Sequence, residues 1–370
     1  MRRFNYIAIL TIALVSLCGC EHDTNLENED ININIPTDGY IFFDTEVNSR
    51  GVLIENYLQD NFKVLGYRYL NAWSSEEAQA KQTKEFSHNG STITMGVFGN
   101  TPQEQLVEWK DNAHTYNPMK EWDKDLTYSF FAWYPSNIPS SGISHEGNPY
   151  VTYTLDLTDP ANHIDVMTAC VIDTKSSSSK SVSFNMQHRL SALDIIARSY
   201  VNADALKMNA GETAKVKINS VGIDFSNLLY DGATIPLNTR DNSETLKGTN
   251  TNNSDKSVSF SPIIGNVTMN YYENDEDIAY LTNDAGKTML FIPQAESLTC
   301  AVNVSYDIVD GNGNVIQGYD DITSTTNISI KELKEGTYYY MLLNFTKSGV
   351  TVVVQEADEW KDKDVKHEFE

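Results

Sequence analysis

The sequence is short of cysteine, with four in 370 residues. Two of these, Cys18 and Cys20, fall within the first twenty residues, which leaves Cys170 in "VMTACVID" and Cys300 in "LTCAVNV". Both segments have the composition of β-strands, in which an isolated cysteine is usually a small buried side chain. We therefore predict two free thiols in preference to one disulfide, and two cysteines alone supply no framework for a metal site.

Positive charge is also scarce, because 27 Lys and Arg residues stand against 51 Asp and Glu residues, for a formal net charge of −24. A surface of this sign repels the phosphate backbone of nucleic acids and the faces of anionic lipid layers. We therefore expect no nucleic-acid partner, and a soluble surface protein whose copies repel one another at long range.

Long apolar runs are missing except at the amino terminus, "MRRFNYIAILTIALVSLCGC". Arg2 and Arg3 precede an apolar stretch over residues 6–17 that is short for a membrane span, and the stretch ends in Leu-Cys-Gly-Cys. This ending resembles a bacterial lipobox, so we predict a signal peptide over residues 1–20 with lipid attached at Cys20. An ordinary secretory signal is the alternative, and both interpretations take the protein out of the cytoplasm.

Motifs that carry catalysis are missing as well. The chain has no Gly-rich phosphate loop, no HExxH and no nucleophile elbow, and its seven histidines are scattered singly. His188 is the one histidine inside a strand-like segment, where a packing role is more common than that of a catalytic base. We therefore expect that the protein is not an enzyme and that it binds no cofactor.

One segment, "DGNGNVIQGYDD" over residues 310–321, has the oxygen-rich spacing of a calcium loop. It places Val315 where such a loop needs glycine and Asp321 where it needs a longer glutamate. A tight hairpin turn explains the same letters, because Asp, Asn and Gly adopt the backbone conformations that such turns require. We favour the hairpin and leave calcium open.

Strand signals dominate what is present, as short β-branched and aromatic runs bounded by Gly, Pro, Asn or Asp. Helical periodicity is confined to "SSEEAQAKQTKEF" from Ser74 and "HRLSALDIIARSY", and the second also suits a strand. This pattern predicts an all-β fold of packed sheets. The roughly 350 residues after the signal favour two domains, and the serine run over residues 173–181 marks a boundary between 51–180 and 181–370.

An acidic leader over residues 21–50 precedes the first domain. Arg50 is its one basic residue, and the short apolar strand Ile41, Phe42 and Phe43 lies just upstream. A lone arginine in a loop is commonly a solubility feature. The polar residues Asn48 and Ser49 before Gly51 also suit the extended backbone that a protease needs, so cleavage between Arg50 and Gly51 is the second interpretation.

Several segments, in this order, resemble the fimbrillin family of Bacteroidetes, the subunits of protease-assembled (type V) pili. They are the lipobox with its acidic leader, "YIFFDTEVNSRG", "LTYSFFAWYP", "IDVMTACV" with "VSFNMQHRLSALDI", and "LKEGTYYYMLLNFTKSGVTVVVQEADEW". The charged tail after Trp360 departs from the pattern, and its role stays open.

The resemblance implies two tandem transthyretin-like Greek-key β-sandwich domains and a pilus subunit that is exported as an outer-membrane lipoprotein. An arginine-specific protease would cut after Arg50 and release the strand before it. The emptied groove would accept a strand from another fimbrillin subunit, and the expected donor is Val350, Thr351, Val352, Val353 and Val354 with the residues after it. The alternative is a surface lipoprotein that binds glycan through the aromatics of residues 128–134, or a minor tip adhesin or anchor subunit.

Overall fold

A computed structural model describes residues 39–47, 58–73, 83–98, 104–138, 143–144, 148–176, 181–204, 206–226, 229–240, 245–250, 258–274, 277–282 and 288–356. Side chains are not described at 47, 143–144, 261–266 and 319–328. Residues 38–370 form one compact unit.

Strands dominate the described residues, which confirms the all-β prediction. The helical piece among them is a 3₁₀ turn at Pro160–Asn162, and within these ranges no helix has the length and apolar character that a membrane span requires. The strands are β1 (Phe43–Val47), β2 (Phe62–Tyr69), β3 (Glu85–His88), β4 (Ser91–Thr94), β5 (Gln105–Lys110), β6 (Ala113–Thr115), β7 (Thr127–Tyr134), β8 (Ile143–Ser144), β9 (Tyr150–Thr154), β10 (Met167–Thr174), β11 (Val182–His188), β12 (Ser191–Ser199), β13 (Ala214–Phe225), β14 (Gly232–Pro236), β15 (Lys247–Thr249), β16 (Val258–Met269), β17 (Ala279–Tyr280), β18 (Met289–Phe291), β19 (Leu298–Asp310), β20 (Val315–Ile330), β21 (Tyr338–Thr346) and β22 (Gly349–Glu356).

The strands form four main sheets. Sheet A has the order β1-β11-β10-β7-β2-β5-β6, and sheet B has the order β17-β12-β21-β22 with β18 also paired to β12. Sheet C has the order β16-β13-β19-β20, and sheet D has the order β15-β14-β9-β8. Most neighbours are antiparallel, but β1 runs parallel to β11, and β12 runs parallel to β21.

Three apolar cores pack against these sheets, and we number them core 1, core 2 and core 3. Core 1 contains Phe130 of sheet A, while the adjacent Phe131 belongs to core 2, because successive side chains of a strand point to opposite faces. Leu342 and Leu343 of sheet B divide in the same way between core 2 and core 3. Sheet A therefore separates core 1 from core 2, and sheet B separates core 2 from core 3.

The expected domain boundary between residues 180 and 181 falls between β10 and β11, which are neighbours in sheet A. The chain passes from sheet A to sheet B only after His188, at the start of β12. Sheet D pairs β9 with β14 and so joins strands from both sides of that boundary. The arrangement as two tandem Greek-key sandwiches stays a prediction.

Two local predictions are confirmed, and one segment that the sequence left open between helix and strand is assigned. Asp310 closes the turn between β19 and β20, since its Oδ1 accepts the amides of Asn312 and Asn314 at 2.9 and 2.8 Å, as the hairpin interpretation requires. Cys170 and Cys300 are free thiols, and burial raises the pKa of Cys300 to about 12. The segment from residue 188 onward that suited helix or strand forms β12, which is buried along its whole length. The other helix candidate, from Ser74, lies mostly outside the described residues.

His163 ties two distant parts of the unit together. Its Nδ1 accepts the amide of Leu290 on β18 at 2.8 Å, so the proton of the neutral ring lies on Nε2, which donates to the carbonyl of Asp156 at 2.7 Å. Burial is the main reason that the pKa of His163 is lowered. Both bonds together require the neutral ring, since a proton on Nδ1 would remove the acceptor.

We expect acid to destabilise the fold through His163. Below a pH near 6.5, the ordinary pKa of histidine, the unfolded chain takes up a proton that the folded chain does not, so the free energy of unfolding falls as pH falls, by up to about 1.4 kcal/mol per pH unit. His163→Gln should be less stable at about pH 7.5 but lose less stability on going to about pH 5. Urea unfolding at both pH values measures this, and equal losses in the two proteins would contradict it. The pKa of His114 is also lowered by burial, and that residue is the same in both proteins.

Candidate functional site

The segment over residues 39–47, called the leader strand below, lies at one end of sheet A. We predicted a strand over Ile41, Phe42 and Phe43, whereas β1 spans Phe43–Val47. The difference arises because the segment changes partners along its length. Ile41 donates its amide to the carbonyl of Lys120 at 2.8 Å, and the ladder with β11 begins only at Phe43.

Main-chain bonds hold the leader strand to two partners. On one side, the amide of Trp122 donates to the carbonyl of Gly39 at 2.7 Å, and Tyr40 forms an antiparallel bridge with Glu121. On the other, Phe43–Val47 pairs in parallel with residues 182–186, and the amide of Val182 donates to the carbonyl of Phe42 at 2.7 Å. The strand is therefore the terminal member of sheet A and has β11 as its one ladder partner there.

Alternate side chains of the leader strand enter core 1. Ile41, Phe43 and Thr45 are buried, Phe42 is half-buried, and Asp44 and Glu46 are exposed. The segment thus has the period-2 pattern of a strand with one face in the core and an acidic face in water.

Phe43 occupies a nest of four aromatic rings, which we call the leader groove: Phe98, Tyr116, Phe130 and Phe184. Its ring centroid lies 5.3 Å from Tyr116 and Phe130, 5.6 Å from Phe184 and 6.2 Å from Phe98. These separations and tilts are those that favour aromatic pairs. The leader strand therefore contributes the central ring of the cluster.

A glycine makes room for the groove. A Cβ added at Gly66 of β2 would come within 2.8 Å of the Phe98 ring and 3.0 Å of the Phe130 ring, closer than such contacts allow. Glycine at this position lets both rings pack against the strand.

Polar bonds also fix the leader strand. The hydroxyl of Tyr116 donates to the carbonyl of Ile41 at 2.9 Å, and burial raises the pKa of Tyr116 to about 12. The buried hydroxyl of Thr45 accepts the amide of Leu58 at 3.2 Å. Leu58 is the first described residue after the predicted cleavage site, so this bond joins the two sides of that site.

The free energy that these contacts contribute determines how stably the leader strand is docked. Burying the side chains of Ile41 and Phe43 stabilises the docked state by about 3–6 kcal/mol. Between separate molecules the same energy corresponds to a dissociation constant from millimolar to tens of micromolar. While the chain is continuous, the segment has a high effective concentration at its groove. A segment cut free would lose this advantage.

Three predicted site residues, Cys20, Arg50 and Gly51, lie outside the described residues. The expected donor residues lie in β22, which pairs antiparallel with β21 at the edge of sheet B. Val350, Val352 and Val354 pack against core 3, whereas Thr351 and Val353 are exposed. The donor candidate is thus already paired within its own chain.

The aromatic platform proposed over residues 128–134 is wrong. β7 is a central strand of sheet A, so its rings enter core 1 and core 2 alternately, and Tyr128, Phe130, Phe131 and Trp133 are at most 1% exposed. Sequence reasoning also missed Thr45, although continuation of the alternation that starts at Ile41 would have found it. The groove residues Tyr116 and Phe184 carry no local signal, because they reach the site only through folding.

We expect Phe43→Ala to destabilise the part of the fold around core 1 by about 3–5 kcal/mol, because it empties the centre of the leader groove. Phe42→Ala is the matched control and should cost clearly less, since Phe42 is half-buried. Four of the five tryptophans, Trp73, Trp109, Trp122 and Trp133, lie in the first half of the chain, so tryptophan fluorescence during guanidinium unfolding reports mainly on this region, and Trp360 is the same in both variants. Similar midpoints for the two variants would contradict the assignment.

Solved structures of other proteins are similar to this chain. A fimbrial protein from Bacteroides vulgatus ATCC 8482 is similar in structure with a TM-score of 0.58 and 17% sequence identity, over 88% of this chain and 100% of that chain. A candidate cell adhesion protein from Bacteroides uniformis ATCC 8492 gives a TM-score of 0.44 and 16% identity over 88% and 100% of the two chains. At 17% identity the likeness to the protein from Bacteroides vulgatus shows the fold alone. No curated protein matches the chain.

The family comparison covers most of the sequence. The family model described as "Fimbrillin-like" matches residues 70–360, which includes every described strand from β3 to β22. The leader strand lies before the matched residues, and β12, β21 and β22 lie within them. The chain therefore belongs to the fimbrillin-like family.

Proposed function

We propose that this protein is a structural subunit of a cell-surface pilus whose leader strand is removed before assembly. Membership of the fimbrillin-like family supports the coarser statement, a pilus subunit or adhesin at the cell surface with a non-catalytic role. The fimbrial protein from Bacteroides vulgatus shares the fold, which is consistent with this role.

The observation that carries the proposal is the docking of the leader strand. It is a terminal strand with one ladder partner in its sheet, yet it places Ile41, Phe43 and Thr45 in core 1. Such a strand can leave without breaking a ladder between other strands. Its departure would uncover the main-chain groups of β11 together with the leader groove, and an unpaired strand edge is a template for pairing with another chain.

The partner that we propose for the uncovered edge is a second fimbrillin subunit. β22 has the required period, since Val350, Val352 and Val354 alternate inward as Ile41, Phe43 and Thr45 do. In that role β22 would exchange its bonds with β21 for bonds with a neighbouring subunit, so the number of main-chain bonds is largely kept. Valine is smaller than phenylalanine, so β22 alone would leave the space of Phe43 partly empty.

Export and release complete the proposal. Lipid at Cys20 would hold the precursor on the outer membrane, and an arginine-specific protease would cut after Arg50. A single cut would separate both the lipid and the leader strand from the mature chain. The burial of Ile41 and Phe43 alone corresponds to weak binding between separate molecules, which favours dissociation of the freed segment at dilute concentration.

Treating the purified precursor with an arginine-specific protease tests the proposal. We expect Gly51 as the new amino terminus, loss of the leader peptide on gel filtration, and SDS-resistant ladders that grow with time. Arg50→Ala should stay uncut at this position and form no ladders, because its groove stays filled.

Arg240→Ala is the matched control. Arg240 is a surface arginine, with 55% of its side chain exposed, and the variant should be processed and polymerise as the wild type does. Ladders formed by Arg50→Ala, or a leader peptide that stays bound after the cut, would overturn the proposal.

A further inference from the structure

A cavity of about 480 Å³ lies beside the leader strand and is separate from the leader groove. Its wall includes Tyr40 from the leader strand, Arg68 of β2, Tyr128 of β7, and Lys120 and Glu121 from the segment between β6 and β7. The volume falls within the range of about 300–1,000 Å³ that is usual for small-molecule sites. We call this cavity the Arg68 pocket.

The framework of the Arg68 pocket is well defined. Arg68 and Tyr128 are cross-strand partners in sheet A, and burial raises the pKa of Tyr128 while the nearby charge of Arg68 lowers it. The side chain of Arg68 is oriented by its Nε, which donates to the carbonyl of Thr94 at 2.9 Å. This bond fixes one nitrogen of the guanidinium and leaves the terminal pair for a further acceptor.

Charge in the pocket differs from that of the chain as a whole. Two cations, Arg68 and Lys120, line it, although acidic residues outnumber basic ones almost two to one in the sequence. In the part of the chain that the structure describes, neither cation forms an ion pair with a carboxylate. The nearby Asp123 is engaged elsewhere, since its Oδ2 lies 3.0 Å from Nε2 of His88.

These groups define the chemistry of a ligand. A guanidinium and an ammonium group that line the same cavity favour a carboxylate, which can accept two parallel hydrogen bonds from arginine. Glu121 in the same wall repels a second negative charge but accepts hydrogen bonds from hydroxyl groups. The negative field of the whole chain likewise disfavours polyanions. The pocket therefore suits a compact molecule with one carboxylate among several hydroxyl groups.

We propose that the Arg68 pocket binds the carboxylate-bearing ring of an acidic sugar of the uronic acid type. The sugar carboxylate pairs with Arg68 and Lys120, its hydroxyl groups donate to Glu121, and the ring lies against the wall that Tyr40 and Tyr128 form. The site is complete in the uncleaved chain, whereas loss of the leader strand after a cut at Arg50 would remove Tyr40 from its wall.

Titration calorimetry on the uncleaved protein tests the site with two matched sugars. Methyl β-glucuronide and methyl β-glucoside differ only in a carboxylate against a hydroxymethyl group. We expect saturable binding of the glucuronide and binding of the glucoside that is weaker by about tenfold or more, the usual effect of losing a charge-assisted hydrogen bond. Equal binding of both sugars, or none of the glucuronide, would overturn the proposal.

A third ligand separates sugars from acidic peptides. N-acetyl-glutamate amide carries a carboxylate but no ring hydroxyl groups, so it should bind more weakly than the glucuronide. Tighter binding of this peptide mimic would assign the pocket to acidic peptides and overturn the sugar assignment.

Variants locate the binding in the pocket. Arg68→Gln should weaken glucuronide binding by about tenfold or more, and Lys120→Gln by a smaller factor. Arg68→Gln also affects the bond between Arg68 and the carbonyl of Thr94. Lys120→Gln is the complementary variant, because among the described residues the Lys120 side chain forms no hydrogen bond or ion pair. Arg240→Gln is the control for loss of one surface arginine and should bind as the wild type does. Unchanged affinity in both pocket variants, with normal melting curves, would place the sugar elsewhere and overturn the proposal.

Discussion

The packing of Phe43 among four aromatic rings is the interaction on which the first part of the structure depends. Core 1 contains side chains from six strands of sheet A. The aromatic ring at its centre, Phe43, comes from β1, which is the strand at one end of the sheet. A core whose centre is supplied by a terminal strand is complete only while that strand is docked. Under the function proposed above, the same groove would stabilise the subunit while it is filled and pair with another chain once it is empty.

The second parallel pair in the molecule shows why the position of a strand matters. β12 also runs parallel to a distant strand, β21, but β17 and β18 pair with its other side. All nine residues of β12 are buried between core 2 and core 3. Removing β12 would break three ladders and open two cores, whereas removing β1 breaks one ladder and opens one core. The same type of pairing is thus permanent in sheet B and separable in sheet A.

The sequence is informative where the cause is local. Alternation in residues 301–306 predicts the strand that becomes β19, the Gly and Asn residues after Asp310 predict its turn, and the apolar residues from Ile41 predict a strand near the amino terminus. Structural features that depend on contacts between residues far apart in the sequence cannot be predicted in this way. The register of Phe43 against Val182, the division of β7 between two cores and the meeting of Arg68 with Lys120 are set by folding, so no short stretch encodes them. The sequence predicts this strand over residues 41–43, whereas β1 spans Phe43–Val47, because the segment changes its hydrogen-bonding partner at Phe43 and that partner is distant in the sequence.

Sheet D joins β9 to β14, and core 2 is filled from sheets A, B and D together. Residues before and after the serine run are consequently held by a shared ladder and a shared core, not by a single connecting peptide. Tension applied between the two ends of the unit would load several strands in parallel, and bending within the unit would require core 2 to open. In a filament made of such units, compliance would be concentrated at the joints between subunits, so the stiffness of the filament would be governed by those joints.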